Sequence, residues 1–356
     1  MTVINAKNPP GRRDEALDAA RGLAVIGMVW VHFVPWPADD AHGVLSGLQW
    51  ASVAWLDGLP AAMFLILVGA AWFVSGKKLS AYVVRRSAAL AVLGFVFWHW
   101  VWPNDILVPI AMMMLVLAAV HGLGRRAVVM VAVLLLAGVP LATALWGDYA
   151  WTDVREDGTH EANHQVGWVT LRYFLINGAY PLLPWLLFPL LGWWLAPLRT
   201  DSRALARMMG ISVVSVAVAL VVDQRWGDAY AGGIYAHFDV TWQPTSLPFV
   251  ALWGGAATFV IAAMWWRAMT APLPAAFAPI AAVGRVSLSH YLLHTVVVYG
   301  AMRLWWPAED WSVSVGLAAA VGYAVFALLA TPWLLQSGRR GPVEAMLARC
   351  CGRRKQ

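Results

Sequence analysis

Long apolar blocks alternate with short polar stretches along this chain, and the polar stretches carry most of the charged residues. A helix needs about 20 apolar residues to cross the hydrocarbon core of a membrane, and each block has about that length. The pattern therefore predicts an all-α integral membrane protein, a bundle of about ten transmembrane helices. The predicted spans are residues 19–37, 54–76, 83–102, 104–122, 127–146, 179–197, 204–222, 246–266, 284–304 and 312–335.

The charged residues predict the orientation of these helices. If the chain starts in the cytoplasm, 21 of its 25 Lys and Arg residues fall in cytoplasmic connections or at the inner ends of spans, and 14 of its 19 Asp and Glu residues fall toward the outside. Basic residues collect on the cytoplasmic side of membrane proteins, so we expect both termini to be cytoplasmic. The chain then divides into a cytoplasmic N-terminal segment at 1–18, a transmembrane domain at 19–335 and a basic cytoplasmic tail at 336–356.

Composition excludes several other classes of protein. Of the 356 residues 61% are hydrophobic and 12% are charged, whereas a soluble domain is about 25% charged. The net charge of +6 reflects the basic connections, so we expect membrane lipid around the protein and no nucleic acid. The two cysteines, Cys350 and Cys351, are adjacent, which fits neither a disulfide framework nor a metal site.

Two ionisable residues lie on one face of the first span. Arg21 and His32 are eleven positions apart, and at about 100° per residue they fall within about 20° of each other around the helix. Ionisable residues inside a span are functional candidates by default. A cation at the cytoplasmic end suits a phosphorylated ligand, and an imidazole farther out can act as a base. The alternative is an ordinary arginine anchor that pairs with Asp18, together with an interfacial histidine.

The ninth span carries a second polar cluster. Ser287, Tyr291 and His294 occupy positions i, i+4 and i+7, so they share one stripe of a helix. Such residues commonly form hydrogen bonds between membrane helices. Their density nevertheless predicts a polar cavity at this depth.

The two clusters together resemble a known superfamily. Arg21, ten residues and then His32, with Gly284-x-x-Ser-x-x-x-Tyr-Leu-x-His294, are similar to the paired signatures of the transmembrane acyltransferases, which include the acyltransferase-3 proteins and the heparan-alpha-glucosaminide N-acetyltransferases. The segment Tyr180-Pro-Leu-Leu-Pro-Trp185, a following Gly192 and the ending Gly341-Pro-Val-Glu344 resemble the YeiB-like branch, which is closer to the heparan enzymes.

The resemblance implies a membrane-embedded acyltransferase in a bacterial plasma membrane. It would move an acyl group, an acetyl group above all, from cytoplasmic acyl-CoA to an outer acceptor such as a glycan or glycoside, and it allows a homodimer. No metal is expected. The implied acyl-CoA site comprises the arginines for the phosphates and the stripe of the ninth span: Arg21, Arg85, Arg86, Arg285, Ser287, Tyr291 and His294.

The resemblance leaves the catalytic histidine open between two positions. His32 matches the acyltransferase-3 position, whereas the heparan enzymes use a histidine in the following outer loop. The nearest equivalent here is His42, with Asp57 as a partial match to a downstream Asp. His32 lies inside a span on the face of Arg21, which favours it over His42.

Two other functions compete with acyl transfer. His160-Glu-Ala-Asn-His164 fits the His-Glu-x-x-His pattern of zinc hydrolases, in which Glu161 would be the base. That chemistry requires a helix and a third ligand, but Gly158 and charged flanks surround this segment. Intramembrane histidines and proline-interrupted spans also serve transporters and non-catalytic binding proteins.

Overall fold

The structure is a computed structural model that describes residues 14–34, 56–101, 104–146, 167–227, 240, 245–305 and 313–352. Within these residues every regular element is a helix, which confirms the predicted all-helical fold. The α-helices are α1 Glu15–Phe33, α2 Leu59–Ser75, α3 Ala81–Trp100, α4 Leu107–Leu123, α5 Arg125–Trp146, α6 Trp168–Arg172, α7 Leu182–Trp185, α8 Leu187–Leu195, α9 Ser202–Val222, α10 Leu247–Thr270, α11 Phe277–Arg285, α12 Ser287–Trp305, α13 Val313–Gln336 and α14 Pro342–Cys350. Short π-helical segments, Tyr173–Asn177 and Asp223–Gly227, follow α6 and α9, and a 3₁₀ turn, Ala196–Thr200, follows α8.

Membrane-spanning character is clear for part of the helices. Six of the described segments are long and apolar enough to cross a membrane: Glu15–Phe33, Ala81–Trp100, Leu182–Thr200, Ser202–Trp226, Leu247–Thr270 and Ser314–Gln336. Helices α2 and α4 are apolar but shorter, and α5 and α12 coincide with two more predicted spans. Each of the ten predicted spans therefore contains a helix, while the number that cross the membrane and their orientation stay predictions.

Side-chain caps decide where several helices begin. Asp14 accepts a hydrogen bond from the backbone N–H of Leu17 at 3.1 Å at the start of α1. Asp201 accepts from the N–H groups of Arg203 and Ala204, both at 3.0 Å, at the start of α9. Such caps satisfy backbone donors that have no partner within the helix. Both helices consequently begin before the predicted spans, because a polar first turn gives no hydrophobic signal.

Helix α1 packs closely against α11, which lies in a connection that the sequence predicted to be polar. Gly22 faces the backbone carbonyl of Ile280, and Gly284 faces that of Asp18, with no room for a Cβ at either glycine. The two backbones therefore touch, and the connection is a packed element of the bundle. The chain turns at Val286 (φ −124°, ψ 34°) before α12 begins. Helix α12 therefore starts three residues later than the ninth predicted span, to which it corresponds.

The predicted cytoplasmic tail contains α14, which contacts the first turn of α12. Glu344 accepts hydrogen bonds from the backbone N–H groups of Leu288 and Ser289 at 3.0 and 3.1 Å, and the Ser289 hydroxyl donates to the same carboxylate. A carboxylate is stabilised at a helix N-terminus by the first-turn donors and the helix dipole. Helix α14 is thereby anchored to the bundle.

The helices differ in how much of their surface the protein covers. In the most apolar stretch of α1 and of α10, 61% is buried inside the protein, against 22% for the stretch that contains α9 and 28% for α13. Because α9 and α13 are apolar yet exposed, they are peripheral helices whose outer faces suit lipid. Helix α1 lies in the interior, where the candidate chemistry also lies.

Candidate active site

A cavity of about 210 Å³ lies among α1, α2, α3, α4, α12 and α14. One water needs roughly 10–15 Å³ on the same measure, so the cavity has room for more than about ten waters or for a small organic group. Most of its wall is apolar, and its polar lining includes His32, Asp57, Arg86, Tyr180, Ser287 and Tyr291. An apolar wall with a few converging polar groups is the usual form of a small-molecule site.

The lining residues come from opposite ends of their helices. Arg86 and Ser287 lie in the first two turns of α3 and α12, whereas His32 lies in the last turn of α1 and Asp57 lies two residues before α2. In the predicted topology the first two residues lie toward the cytoplasm and the last two toward the outside. The cavity thus connects groups that the topology assigns to different sides.

His32 contacts a second histidine behind the cavity wall. The Nδ1 atom of His32 lies 2.8 Å from Nε2 of His294, and the two ring planes are within 15° of parallel. His294 is fully buried, and its Nδ1 lies 3.1 Å from the backbone carbonyl oxygen of His290. His294 therefore contacts His32 and does not itself line the cavity. The resemblance had placed it in the acyl-CoA site with Ser287 and Tyr291.

Tyr291 belongs both to the cavity wall and to a buried polar pair. Its hydroxyl donates to Asp105 Oδ1 at 2.7 Å, and Asp105 Oδ2 accepts from the backbone N–H of Leu107 at 2.8 Å. Asp105 lies in the link between α3 and α4, outside both helices, and is 2% exposed. Burial raises the pKa of its carboxyl to about 7, because a low-dielectric environment disfavours the carboxylate.

Asp57 is the second carboxyl group of the site. It lies before α2, is half-buried and lines the cavity together with His32. Burial raises the pKa of Asp57 to about 6, for the same physical reason as at Asp105. Two carboxyl groups near the predicted outer end thus have pKa values raised by burial.

The four predicted phosphate-binding arginines lie in different places. Arg86 is half-buried and lines the cavity, whereas Arg85 and Arg285 are exposed and are not part of its lining. Arg21 donates to Asp18 at 2.7 Å, with 22% of its side chain exposed. The structure thus contains the Asp18 pair that the sequence offered as the alternative for Arg21, and Arg86 is the predicted cation that reaches the cavity.

Two predicted motifs lie outside the described residues. They are His42, the alternative catalytic histidine, and the zinc-hydrolase pattern His160-Glu161 with His164. Among the described residues, no group of three His, Cys, Asp or Glu side chains is arranged to hold a metal ion.

Sequence reasoning did not single out Asp105 or Leu347. Asp105 stands two residues before α4, where an acidic residue is typical of an ordinary helix start, and Tyr291 lies 186 positions away along the chain. Leu347 is one of many apolar residues, yet it extends from α14 to the cavity wall. The sequence carried a signal for the first, a carboxyl group in a short apolar link, and none for the second.

The apolar helices define a multi-pass membrane protein, and the cavity, with its apolar wall and few polar groups, is its candidate small-molecule site. Residues 13–221 match the family described as heparan-alpha-glucosaminide N-acetyltransferase, catalytic, and residues 193–353 match a family described as protein of unknown function, DUF418. The first match covers more than half of the chain, so the chain belongs to the heparan-alpha-glucosaminide N-acetyltransferase catalytic family, as its motifs predicted. No curated protein matches the chain.

The cavity draws on both matched regions. His32, Asp57 and Arg86 fall within the first, and Ser287 and Tyr291 fall within the second. A site that needs both regions requires the N-terminal and C-terminal halves to fold as one unit.

Proposed function

We propose that this protein is an acyltransferase that moves an acetyl group from acetyl-CoA to a hydroxyl or amino group of an acceptor on the outer side of a bacterial plasma membrane. One observation carries the proposal. In a chain of an acetyltransferase family, five residues that the sequence selected for this chemistry line a single cavity: His32, Asp57, Arg86, Ser287 and Tyr291.

The reaction needs a base near the thioester. The acceptor oxygen or nitrogen attacks the thioester carbonyl carbon, the new ester or amide bond forms, and the bond from carbon to sulfur breaks. His32 takes the proton from the acceptor and returns it to the departing thiolate, so the histidine is unchanged at the end. General-base help of this kind contributes about 10²–10⁴ in rate.

The donor fits the cavity in part. A cavity of about 210 Å³ suits the acetyl group and the thioester arm. We place the nucleotide at the cytoplasmic surface, with Arg86 at the inner part of the cavity to bind a phosphate by charge-assisted hydrogen bonds. Arg21 and Arg285 then remain candidates for the surface part of the site, whereas Arg85 is exposed and outside the cavity lining.

The acceptor approaches from the other end. His32 and Asp57 lie toward the outside in the predicted topology, and a glycan or glycoside offers the hydroxyl or amino groups that a histidine base can activate. The family description names a glucosaminide as the acceptor of the enzymes that gave the family its name, which supports a sugar here.

Purified protein with radiolabelled acetyl-CoA tests the proposal. We expect release of the CoA thiol and labelled product with an amino sugar or glycoside acceptor, unaffected by EDTA. His32→Ala is the matched inactive variant. Peptide hydrolysis abolished by EDTA would instead support a metallohydrolase that uses His160, Glu161 and His164. Absence of both activities would contradict the proposal and favour a transporter or a binding protein.

Accessible cysteines test the orientation on which the two sides depend. In a background without Cys350 and Cys351, cysteines at Lys77, Arg125 and Arg267 should resist an impermeant thiol reagent in intact cells. Cysteines introduced at the predicted outer positions should react: Asp40, Glu156 and Asp239. Labelling at position 125 from outside would contradict the ten-span topology.

A further inference from the structure

The hydrogen bonds behind His32 define which ring nitrogens carry protons. The carbonyl oxygen of His290 can only accept, so Nδ1 of His294, at 3.1 Å, must be the donor. A neutral imidazole carries one N–H. Neutral His294 therefore has no proton on Nε2, and this atom is an acceptor.

The same reasoning extends to the next ring. Because Nε2 of His294 accepts, Nδ1 of His32 at 2.8 Å must donate. Neutral His32 then carries its proton on Nδ1, and its Nε2 holds a lone pair on a ring that lines the cavity. The backbone of α12 thus determines, through two hydrogen bonds, the tautomer of a histidine on α1.

We infer that His294 is a positioning residue that holds His32 in the Nδ1–H tautomer, so that Nε2 of His32 is the atom that takes the proton from the acceptor. This inference rests on the proposed acyl transfer and names the reactive atom of the same site. The proton moves from the acceptor to Nε2 as the acceptor attacks the thioester, and then to the thiolate as the bond from carbon to sulfur breaks. His294 keeps its own proton throughout.

The packing around His294 suits this role. Its side chain is fully buried, and its carbonyl partner lies one helical turn earlier in the same helix, which fixes the position of the carbonyl group. The ring of His32 lies within 15° of parallel to the ring of His294. In many enzymes a hydrogen bond to the other ring nitrogen of a histidine base fixes its tautomer and ring orientation.

A neighbouring histidine shows that burial alone does not produce this arrangement. His290 Nδ1 lies 3.1 Å from the Tyr323 hydroxyl, and Nε2 lies 2.8 Å from the Thr331 hydroxyl. The Tyr323 hydroxyl donates back to the His290 carbonyl. Both nitrogens of His290 are therefore engaged with α13, and His290 does not line the cavity.

The test is a matched pair of substitutions at position 294. Gln and Met have similar length and volume, but a Gln oxygen can accept the His32 Nδ1–H bond and a Met side chain accepts only weakly. We expect His294→Gln to keep kcat within about threefold of the wild-type value, and His294→Met to lose at least about tenfold, since the wrong tautomer removes the base. The KM for acetyl-CoA should change less than about twofold in both, because the substitutions lie behind the base.

His290→Gln is the control on the same helix, because it changes a buried histidine while leaving the backbone carbonyl in place. It should keep kcat at the wild-type value. Equal activity of the Gln and Met variants at position 294, or equal loss in both with normal folding, would overturn the inference while His32→Ala remains inactive. If the wild-type protein itself transfers no acetyl group, the proposed function fails.

A readout without acetyl-CoA separates the two failures and serves if His294→Met folds poorly. Diethyl pyrocarbonate acylates an imidazole nitrogen that holds a lone pair, and mass spectrometry of the peptide that contains His32 measures its rate. We expect wild type and His294→Gln to react at similar rates, and the folded fraction of His294→Met, isolated by size exclusion, to react several-fold more slowly. A slow rate at His32 in the Gln variant, or equal rates in all three proteins, would overturn the inference.

Discussion

Helix α12 carries two kinds of buried histidine, four residues apart on neighbouring stripes of the helix. On the cavity face, Ser287 and Tyr291 line the cavity and His294 contacts His32. On the face toward α13, His290 engages Tyr323 and Thr331. The two histidines differ in their partners. His294 faces His32, which lines a cavity, whereas His290 faces two hydroxyl groups that complete a contact between helices. An intramembrane histidine is thus a candidate for chemistry or for packing according to its partners.

The largest effect should come from His32, the residue of α1 that the cavity face of α12 contacts through His294. We expect His32→Ala to lower kcat by about 10²-fold or more, because general-base help is removed, with acetyl-CoA binding nearly unchanged. Steady-state kinetics together with thermal stabilisation by CoA measure the two quantities. If His32→Ala keeps its activity and His42→Ala loses it, the base is the loop histidine of the heparan enzymes and the cavity face has another role.

Two adjacent arginines near the start of α3 form a matched pair. Arg86 lines the cavity and its neighbour Arg85 is exposed. We expect Arg86→Ala to weaken CoA binding about tenfold, the size of one lost charge-assisted contact, and Arg85→Ala to change it by less than about twofold. Arg86→Lys should fall between them, because an ammonium does not replace the planar guanidinium. Equal effects at both positions would place the phosphates at the surface and not at the cavity.

On the face toward α13, loss of the histidine should affect stability and not chemistry. His290→Leu leaves the hydroxyl groups of Tyr323 and Thr331 buried without their imidazole partner, which costs about 1–3 kcal/mol. We expect a lower unfolding temperature in detergent with an unchanged kcat for the folded fraction. A large loss of kcat would show that the two faces are not independent.

The smallest effect concerns the carboxyl group that receives the Tyr291 hydrogen bond. Burial raises the pKa of Asp105 from 3.8 to about 7, so the folded state binds a proton more tightly than the unfolded state does. Stability from this group is therefore complete below about pH 4 and is lost as pH rises toward 7. We expect Asp105→Asn to unfold at a temperature that falls less between pH 5 and 7.5 than it does in the wild type.

Part of that pH dependence should persist in Asp105→Asn, because burial also raises the pKa of Asp57, to about 6. Asp57→Asn is the matched variant that tests the part of the pH dependence that remains in Asp105→Asn. An unfolding temperature with the same pH slope in wild type and Asp105→Asn would contradict a raised pKa at Asp105.

Local sequence pattern was enough to predict the helices and the faces of some of them. The apolar blocks predicted ten segments, each of which contains a helix in the structure, and the spacing of Ser287, Tyr291 and His294 placed them on one stripe. The boundaries were less accurate, as at α1 and α9, because polar first turns held by Asp14 and Asp201 resemble loops. Helix α11 was missed because nine residues, Phe277–Arg285, are too few to form a span.

The sequence by itself determined that this is a helical membrane protein, which histidines and arginines were candidates, and which family it resembles, since each follows from local period, charge or motif. Only the tertiary structure decided that His32 meets His294, 262 positions away, that Asp105 meets Tyr291, and that Arg86 and not Arg85 reaches the cavity. A helical period states which residues share a face. Which face of another helix lies opposite depends on the packing of all helices together, and close contacts such as Gly22 against Ile280 and Gly284 against Asp18 set that arrangement.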